Sequence, residues 1–134
     1  MSMEILLADT PIMFALSTNG VAGAVKAFDL LESKLPSLKK RKFYGIIENI
    51  PPHDTYRAGV AIMEGDDPKA LSLNTWIVPG GKYARTKIKN WEKKLNQIGP
   101  TFKSLMQQYT HDPTRPSIEF YRNMEELFLL LPIK

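Results

Sequence analysis

Residues 117–121 read SIEFY, and after a short polar turn residues 126–133 read ELFLLLPI. The first segment is rich in β-branched and aromatic residues and follows a proline, a composition that is typical of a strand. Side chains of a strand alternate between two faces, so Glu119 and Tyr121 share one face while the apolar residues share the other. The sequence therefore predicts a carboxylate and a phenol on the same surface of a sheet.

Glu119 has two interpretations. Polar residues normally occupy the solvent face of an antiparallel strand, and alternation alone favours this arrangement. If aromatic rings wall that face instead, the carboxylate is partly desolvated, its pKa rises, and a cationic ligand can offset the cost by pairing with it. The rings would add cation–π attraction. Arg57, in another expected strand, would weaken the case for a cationic ligand if it lay beside Glu119.

The composition is that of an ordinary globular protein. The chain has 134 residues, of which 43% are hydrophobic and 24% charged, and we expect one domain over residues 1–134. The longest apolar run, residues 127–131, is too short to span a bilayer, and no secretion signal is visible. Cysteine is absent, which excludes disulfides and fits a reducing compartment. We therefore expect a cytoplasmic protein that does not associate with membranes.

Several functional classes lack support in the sequence. The net charge is +4, with basic clusters at residues 39–42 and 82–94, but no DNA-reading element accompanies them, so we expect no direct DNA binding. His53 and His111 lie beside prolines in separate loops with no carboxylate at ligand spacing, so we expect no metal site. No phosphate loop or Ser-His-Asp order is present, and no cofactor is expected.

The elements follow the same order in both halves of the chain. The first half reads as a strand at 12–17, a helix at 21–35, strands at 43–48 and 56–63 with a loop at 49–54 that contains Pro51, and a turn at 65–68. The second half reads as a strand at 73–78, helical spacing over 88–98 and 102–109 with a break at 99–100, and the two final strands. Each half is therefore strand, helix, strand, strand.

This order predicts the fold class α+β. We expect two duplicated βαββ units that form one antiparallel sheet, with both helices packed on one face. The opposite face would then be open as a concave surface, and a cleft between two halves is a preferred place for a small-molecule site. The expected ligand cleft therefore lies on the face away from the helices.

Short motifs along most of the chain resemble one known family. They are WIVPGGKYA at 76–84, a helix that carries Trp91, IEFY at 118–121 and LLLPI at 129–133, with FYG at 43–45 and YRAGV at 56–60. In this order and spacing they resemble the GyrI-like effector-binding domain. That family includes the ligand-binding domains of AraC- and MerR-type regulators such as BmrR, and stand-alone gyrase-inhibitor proteins.

The resemblance implies a cleft that receives hydrophobic, often cationic or aromatic, small molecules. It places the glutamate matched by Glu119 at the bottom of an aromatic-lined pocket, with Tyr121 beside it. The expected ligand-binding residues are Glu119, Tyr121, Trp76, Tyr83, Tyr44 and Phe43. Alternation does not decide which face Trp76 occupies, and it puts Phe43 and Tyr44 on opposite faces, while Trp91 is expected in the core.

The favoured function is a stand-alone protein that senses or sequesters hydrophobic, cationic or aromatic compounds in a cleft centred on Glu119. One alternative is a hydrolase of reactive small molecules, with Glu119 as general base and Tyr121 as proton donor or positioning group. Another is a gyrase-inhibitor-like interaction module that acts on a regulator or another protein. Binding is favoured over catalysis.

Overall fold

The computed structural model of the protein describes residues 2–49 and 52–134, so positions 50 and 51 of the expected loop at 49–54 lie outside the described residues. The strands are β1 Met3–Leu7, β2 Thr10–Leu16, β3 Phe43–Glu48, β4 Thr55–Ala61, β5 Asn74–Val78, β6 Gly81–Lys89, β7 Ser117–Tyr121 and β8 Glu126–Pro132. The α-helices are α1 Ala24–Lys34 and α2 Ile98–Gln108. Short 3₁₀ turns at Gly20–Gly23, Trp91–Lys93 and Leu95–Gln97 precede the helices.

The largest differences from the expected elements lie in the second helix and at the start of the chain, and they have local causes. The helical spacing from residue 88 was misleading, because Ile88 belongs to the long strand β6 and α2 begins only at Ile98. Pro100, expected to break a helix, lies in the first turn of α2, where the amide hydrogen that proline lacks has no helical partner to lose. Strand β1 was not anticipated, because it is a short and largely exposed edge strand.

All eight strands form one antiparallel sheet in the order β1-β6-β8-β7-β3-β4-β2-β5. The α+β class and the duplicated architecture are confirmed, with one additional strand at the start of each half. That additional strand pairs with the other half, because β1 lies beside β6 and β5 lies beside β2. The two halves are therefore joined at both edges of the sheet as well as at its centre, where β3 pairs with β7.

The two halves are related by an approximate twofold axis at the centre of the sheet. The strand order reads the same from either end when each strand is exchanged for its counterpart in the other half. The starts of the two helices, Ala24 and Ile98, have the same separation in sequence as the starts of β3 and β7. This spacing makes Gly45 the counterpart of Glu119, and the two residues are also register partners.

The connection between β5 and β6 forces the sheet to curl. These strands are six places apart in the sheet, which is roughly 29 Å for flat neighbours. Only Pro79 and Gly80 join them, and such a link reaches roughly 10 Å. The sheet therefore curls strongly. The equivalent two-residue link between β1 and β2 contacts this one, and the Gly80 amide donates a hydrogen bond of 2.7 Å to Asp9 Oδ1.

The inside of the curl is a filled core without a helix. Its fully buried members come from strands throughout the sheet and are Ile12, Ile46, Val78, Tyr83 and Ile118. Both helices cover the other face, where α1 packs over one apolar cluster that includes Leu31 and α2 packs over another that includes Leu105. The concave face is therefore closed by its own side chains, which corrects the expectation of a cleft opposite the helices.

Within the described residues, neither helix nor any other helical segment has the length and apolar character needed to cross a bilayer.

Closure of the curl predicts an intolerant glycine. A Cβ at Gly80 would lie 2.7 Å from the Asp9 amide nitrogen and 2.8 Å from the Ala8 carbonyl carbon, and this backbone cannot move without opening the junction. We expect Gly80→Ala to lower the free energy of unfolding by about 1–3 kcal/mol in urea denaturation. Gly99→Ala is the matched control, because a Cβ in that helical position meets open space and should leave stability unchanged or raise it. Equal stability of Gly80→Ala and the unaltered protein would contradict the closure.

Candidate functional site

A large cavity lies between α1 and α2, on the face of the sheet that the helices cover. Its volume is about 1590 Å³, which exceeds the 300–1,000 Å³ of most ligand pockets. The two helices pack over separate clusters and leave the centre of the sheet uncovered between them. The walls are mainly apolar and aromatic, and include Phe28, Phe43, Ile47, Tyr56, Trp91 and Phe102.

Glu119 forms the floor of this cavity. The residue is only 3% exposed, and no other charged residue in the described part of the chain is buried as deeply. The Tyr56 hydroxyl donates a hydrogen bond of 2.6 Å to Glu119 Oε1, and the Tyr121 hydroxyl donates one of 2.9 Å to the same oxygen. The second oxygen, Oε2, forms no hydrogen bond with any residue in the described part of the chain. The surrounding atoms do not enclose it completely.

Gly45 makes room for this cluster. It lies on β3 between the strands that carry Tyr56 and Glu119, and its own side of the sheet faces the cavity. A Cβ at this position would collide with the Tyr56 hydroxyl and with Glu119 Oε1, and would lie 2.8 Å from Tyr56 Cζ. The absence of a side chain at Gly45 is therefore what allows the phenol to reach across a strand to the carboxylate.

Burial dominates the electrostatics of the cluster. Desolvation raises the pKa of Glu119, and the hydrogen bonds from Tyr56 and Tyr121 oppose this effect only in part. Burial also raises the pKa of both phenols, and the nearby Glu119 charge raises it further, so they remain donors at neutral pH. The cluster consists of one acid with a tendency to hold its proton and two fixed hydroxyl donors.

Arg57 does not neutralise Glu119. It follows Tyr56 in β4 and therefore points to the concave face of the sheet. There it pairs with Glu48, and its guanidinium lies 4.3 Å from the centre of the Trp76 ring. The possible objection to a cationic ligand is thereby removed.

Aromatic rings hold Tyr121 in place around the carboxylate. Phe28 from α1 contacts the Tyr121 ring edge-on with a centroid distance of 5.4 Å, and Trp91 contacts it at 5.0 Å. The Trp91 indole donates a hydrogen bond of 2.9 Å to the Asn123 carbonyl, which fixes its orientation. Trp91 was expected in the core of a helix, but it lies in a 3₁₀ turn and lines the cavity.

The structure brings together three of the six expected site residues. Glu119, Tyr121 and Phe43 lie on the cavity, and Phe43 and Tyr121 are register partners on neighbouring strands. Their role in ligand binding stays a prediction.

The other three expected site residues lie on the concave face, which corrects their expected position beside Glu119. Tyr44 stacks on Phe120 at 5.0 Å, Trp76 lies beneath Arg57, and the Tyr83 hydroxyl donates to the Pro79 carbonyl. All three belong to the core inside the curl or pack against it. In each of these strands the side chains alternate between the two faces, and these three residues occupy positions on the face away from the helices.

Tyr56, Phe28 and Phe102 were not anticipated as site residues. A signal for Tyr56 was available, since it alternates with Ala58 and Val60, which are fully buried beneath α1. Phe28 and Phe102 belong to the apolar stripes of their helices, and nothing in such a stripe distinguishes a cavity wall from a packed core.

Comparison with known proteins rests on structure alone, since no family model and no curated protein sequence matches this chain. The EcmrR C-terminal domain is similar with a TM-score of 0.68 and 7% identity, over 100% of this chain and 97% of that one. SAV2435, solved bound to tetraphenylphosphonium, has a TM-score of 0.66 and 9% identity, with coverages of 100% and 94%. A hydrolase from Listeria innocua has a TM-score of 0.63 and 8% identity, with coverages of 99% and 91%. Identities this low establish a common fold, which fits the effector-binding fold that the sequence resembles.

The raised pKa of Glu119 predicts an unusual dependence of stability on pH. Between the pKa of the unfolded chain and the higher pKa of the fold, the native state binds more protons, so raising the pH destabilises it. We expect the unaltered protein to lose stability relative to Glu119→Gln across this window, by up to about 1.4 kcal/mol per pH unit. Urea denaturation of both proteins from pH 4.5 to pH 8 measures the difference. If the stability of the unaltered protein relative to Glu119→Gln stayed constant or rose with pH, burial would not hold the proton on Glu119.

Proposed function

We propose that this protein binds hydrophobic, cationic small molecules in the cavity between α1 and α2, with Glu119 as the counter-ion at its floor. Tyr56 and Tyr121 orient the carboxylate, and the aromatic walls contact the rings or alkyl groups of the ligand. Binding would serve to sense or to sequester such compounds. Action in the cytoplasm, and contact with a regulator or another protein, stay predictions.

The observation that carries this proposal is a buried carboxyl group with no cationic side chain paired to it among residues 2–49 and 52–134. An ionised carboxylate in apolar surroundings is costly, and folded proteins normally offset the cost with a paired cation. Here two phenols supply partial compensation on Oε1, and Oε2 is left without a protein partner among the described residues. A ligand cation would therefore remove a cost that the protein alone leaves in place.

The shape and lining of the cavity support a bulky, lipophilic ligand. A volume of about 1590 Å³ accommodates a molecule with several rings. Tyr121, Phe28 and Trp91 present ring faces and edges near the carboxylate, and such rings attract a cation through their quadrupoles. The shared fold with SAV2435, which was solved with tetraphenylphosphonium, is consistent with this class of ligand.

Titration with tetraphenylphosphonium tests the proposal. The chain has two tryptophans, so a Trp76→Phe background leaves Trp91, on the cavity wall, as the only indole reporter. We expect saturable quenching of Trp91 fluorescence. Glu119→Gln should weaken binding by about 1–3 kcal/mol, which is roughly 5- to 150-fold, because the cation loses its counter-ion.

Glu64→Gln is the matched control, since it removes one negative charge from an exposed turn that does not line the cavity. It should bind tetraphenylphosphonium with nearly the affinity of the background protein. No saturable binding, or equal weakening by Glu64→Gln and Glu119→Gln, would contradict a counter-ion at the cavity floor.

Hydrolysis of a reactive small molecule is the second candidate. Its support is that Glu119 Oε2 is free to accept a proton from water, while Tyr121 donates close by. The Listeria innocua hydrolase shares the fold. An ester or epoxide probe that the protein consumes over many turnovers, and that Glu119→Gln leaves intact, would favour catalysis. Equal consumption by both proteins would exclude Glu119 as the base.

A further inference from the structure

We propose that a cation entering the cavity displaces a proton from Glu119, so that ligand binding and proton release are coupled at one carboxyl group. This inference rests on the proposed function and deepens it, because it states how the site is regulated. At the acidic end of the Glu119 titration the free site holds the neutral acid, whereas the complex holds the carboxylate.

The hydrogen-bond geometry assigns different roles to the two carboxyl oxygens. Oε1 accepts from both phenols, at 2.6 and 2.9 Å, so its lone pairs are occupied. Both phenols are held as donors, since burial and the neighbouring acid oppose the loss of their protons. The proton of the neutral acid therefore resides on Oε2, the oxygen that faces the cavity. This oxygen has no hydrogen-bond partner among the described residues.

Apart from the two phenols, no other titratable or charged group forms a hydrogen bond or an ion pair with Glu119 in the described residues. From α1, Asp29 and Glu32 line the cavity at its more exposed side. From the connecting segments, Arg41 is held by Asp66 at 2.7 Å and Arg115 by Asp112 at 3.3 Å.

Three further charged or titratable residues line the cavity from connecting segments. Arg122 is exposed and pairs with Glu126 at 3.4 Å, so solvent and Glu126 offset its charge. His53 is exposed, and burial lowers the pKa of His111, so both imidazoles require a control in any experiment near neutral pH. The α2 helix contributes Ile98, Phe102 and Met106 to the cavity and brings no charge to it.

The exchange conserves charge within the cavity. Before binding, the cavity floor holds a neutral acid; afterwards it holds a carboxylate and the ligand cation, and one proton has moved from Oε2 to solvent. An apolar pocket tolerates the neutral acid and the ion pair better than a lone carboxylate. By linkage, the dissociation constant falls up to tenfold per pH unit while Glu119 is protonated in the free protein, and it becomes constant above the pKa of the folded state.

Isothermal titration calorimetry with tetraphenylphosphonium tests the coupling. Titrations in buffers with different ionisation enthalpies, from pH 4.5 to pH 8, give the number of protons released per ligand. We expect a value near one at the acidic end that declines towards zero as the pH passes the pKa of Glu119. Glu119→Gln should release none, and neutral triphenylphosphine oxide should release none from the unaltered protein.

Tyr121→Phe distinguishes an effect on the proton of Glu119 from a loss of packing in the cavity wall. The Tyr121 hydrogen bond lowers the pKa of Glu119, so its loss should shift the window of proton release to higher pH. A loss of packing alone would weaken binding without moving that window.

The outcomes separate this inference from the proposed function. Saturable binding with no proton release at any pH would overturn the coupling and leave the binding function standing, whereas absence of binding would overturn both. Release that persists in Glu119→Gln and disappears in His53→Gln or His111→Gln would assign the proton to a histidine and overturn the inference.

Discussion

The two-residue link between an edge strand and a strand near the opposite edge is the constraint on which the rest of this structure depends. Because Pro79 and Gly80 cannot span a flat sheet, the sheet curls, and its concave face fills with side chains from both halves. The helices are left to cover the convex face. Two short helices of 11 residues each cannot cover eight strands, so an uncovered strip remains along the central pair β3 and β7. The cavity is that strip.

The duplication explains why the cavity lies at the centre, and the departure from symmetry explains its chemistry. Glu119 and Gly45 are counterparts at the approximate twofold axis. A second glutamate at Gly45 would place two carboxylates in the same small space, where like charges disfavour joint ionisation. Because Gly45 has no side chain, the site contains a single acid. The same absence leaves space for the Tyr56 hydroxyl to approach that acid. Ile47 is the counterpart of Tyr121, and because Ile47 pairs with Tyr56 and Tyr121 pairs with Leu127, the counterpart of Tyr56 is Leu127. Both tyrosines therefore have apolar counterparts, and the cluster has a single orientation.

Local pattern alone was sufficient for most of the elements, though not for β1 or for the boundary between β6 and α2, and for the placement of Glu119 and Tyr121 on one face. The alternation in residues 117–121 fixes that relation regardless of what lies above the strand. Alternation does not indicate which face of the sheet the helices cover. For this reason Trp76, Tyr83 and Tyr44 were expected in the cleft beside Glu119, although they lie inside the curl. That assignment depends on how distant strands are ordered. The hydrogen bond from Tyr56 across Gly45 could not be predicted for the same reason, because it depends on the register of β3 with both of its neighbours.

The choice of phenols as partners for Glu119 has a physical consequence that an arginine would not give. A protein arginine beside the carboxylate would hold its pKa low and fill the place of a ligand cation, giving a stable and closed ion pair. Tyrosine hydroxyls stabilise the charged form less than burial destabilises it, so the net pKa remains raised. The acid is therefore held in position by Tyr56 and Tyr121, while no cationic side chain among the described residues pairs with its ionised form. In the function proposed for this cavity, a carboxyl group fixed in this way pairs with a cation that enters, and the apolar walls favour a lipophilic cation over a hydrated one.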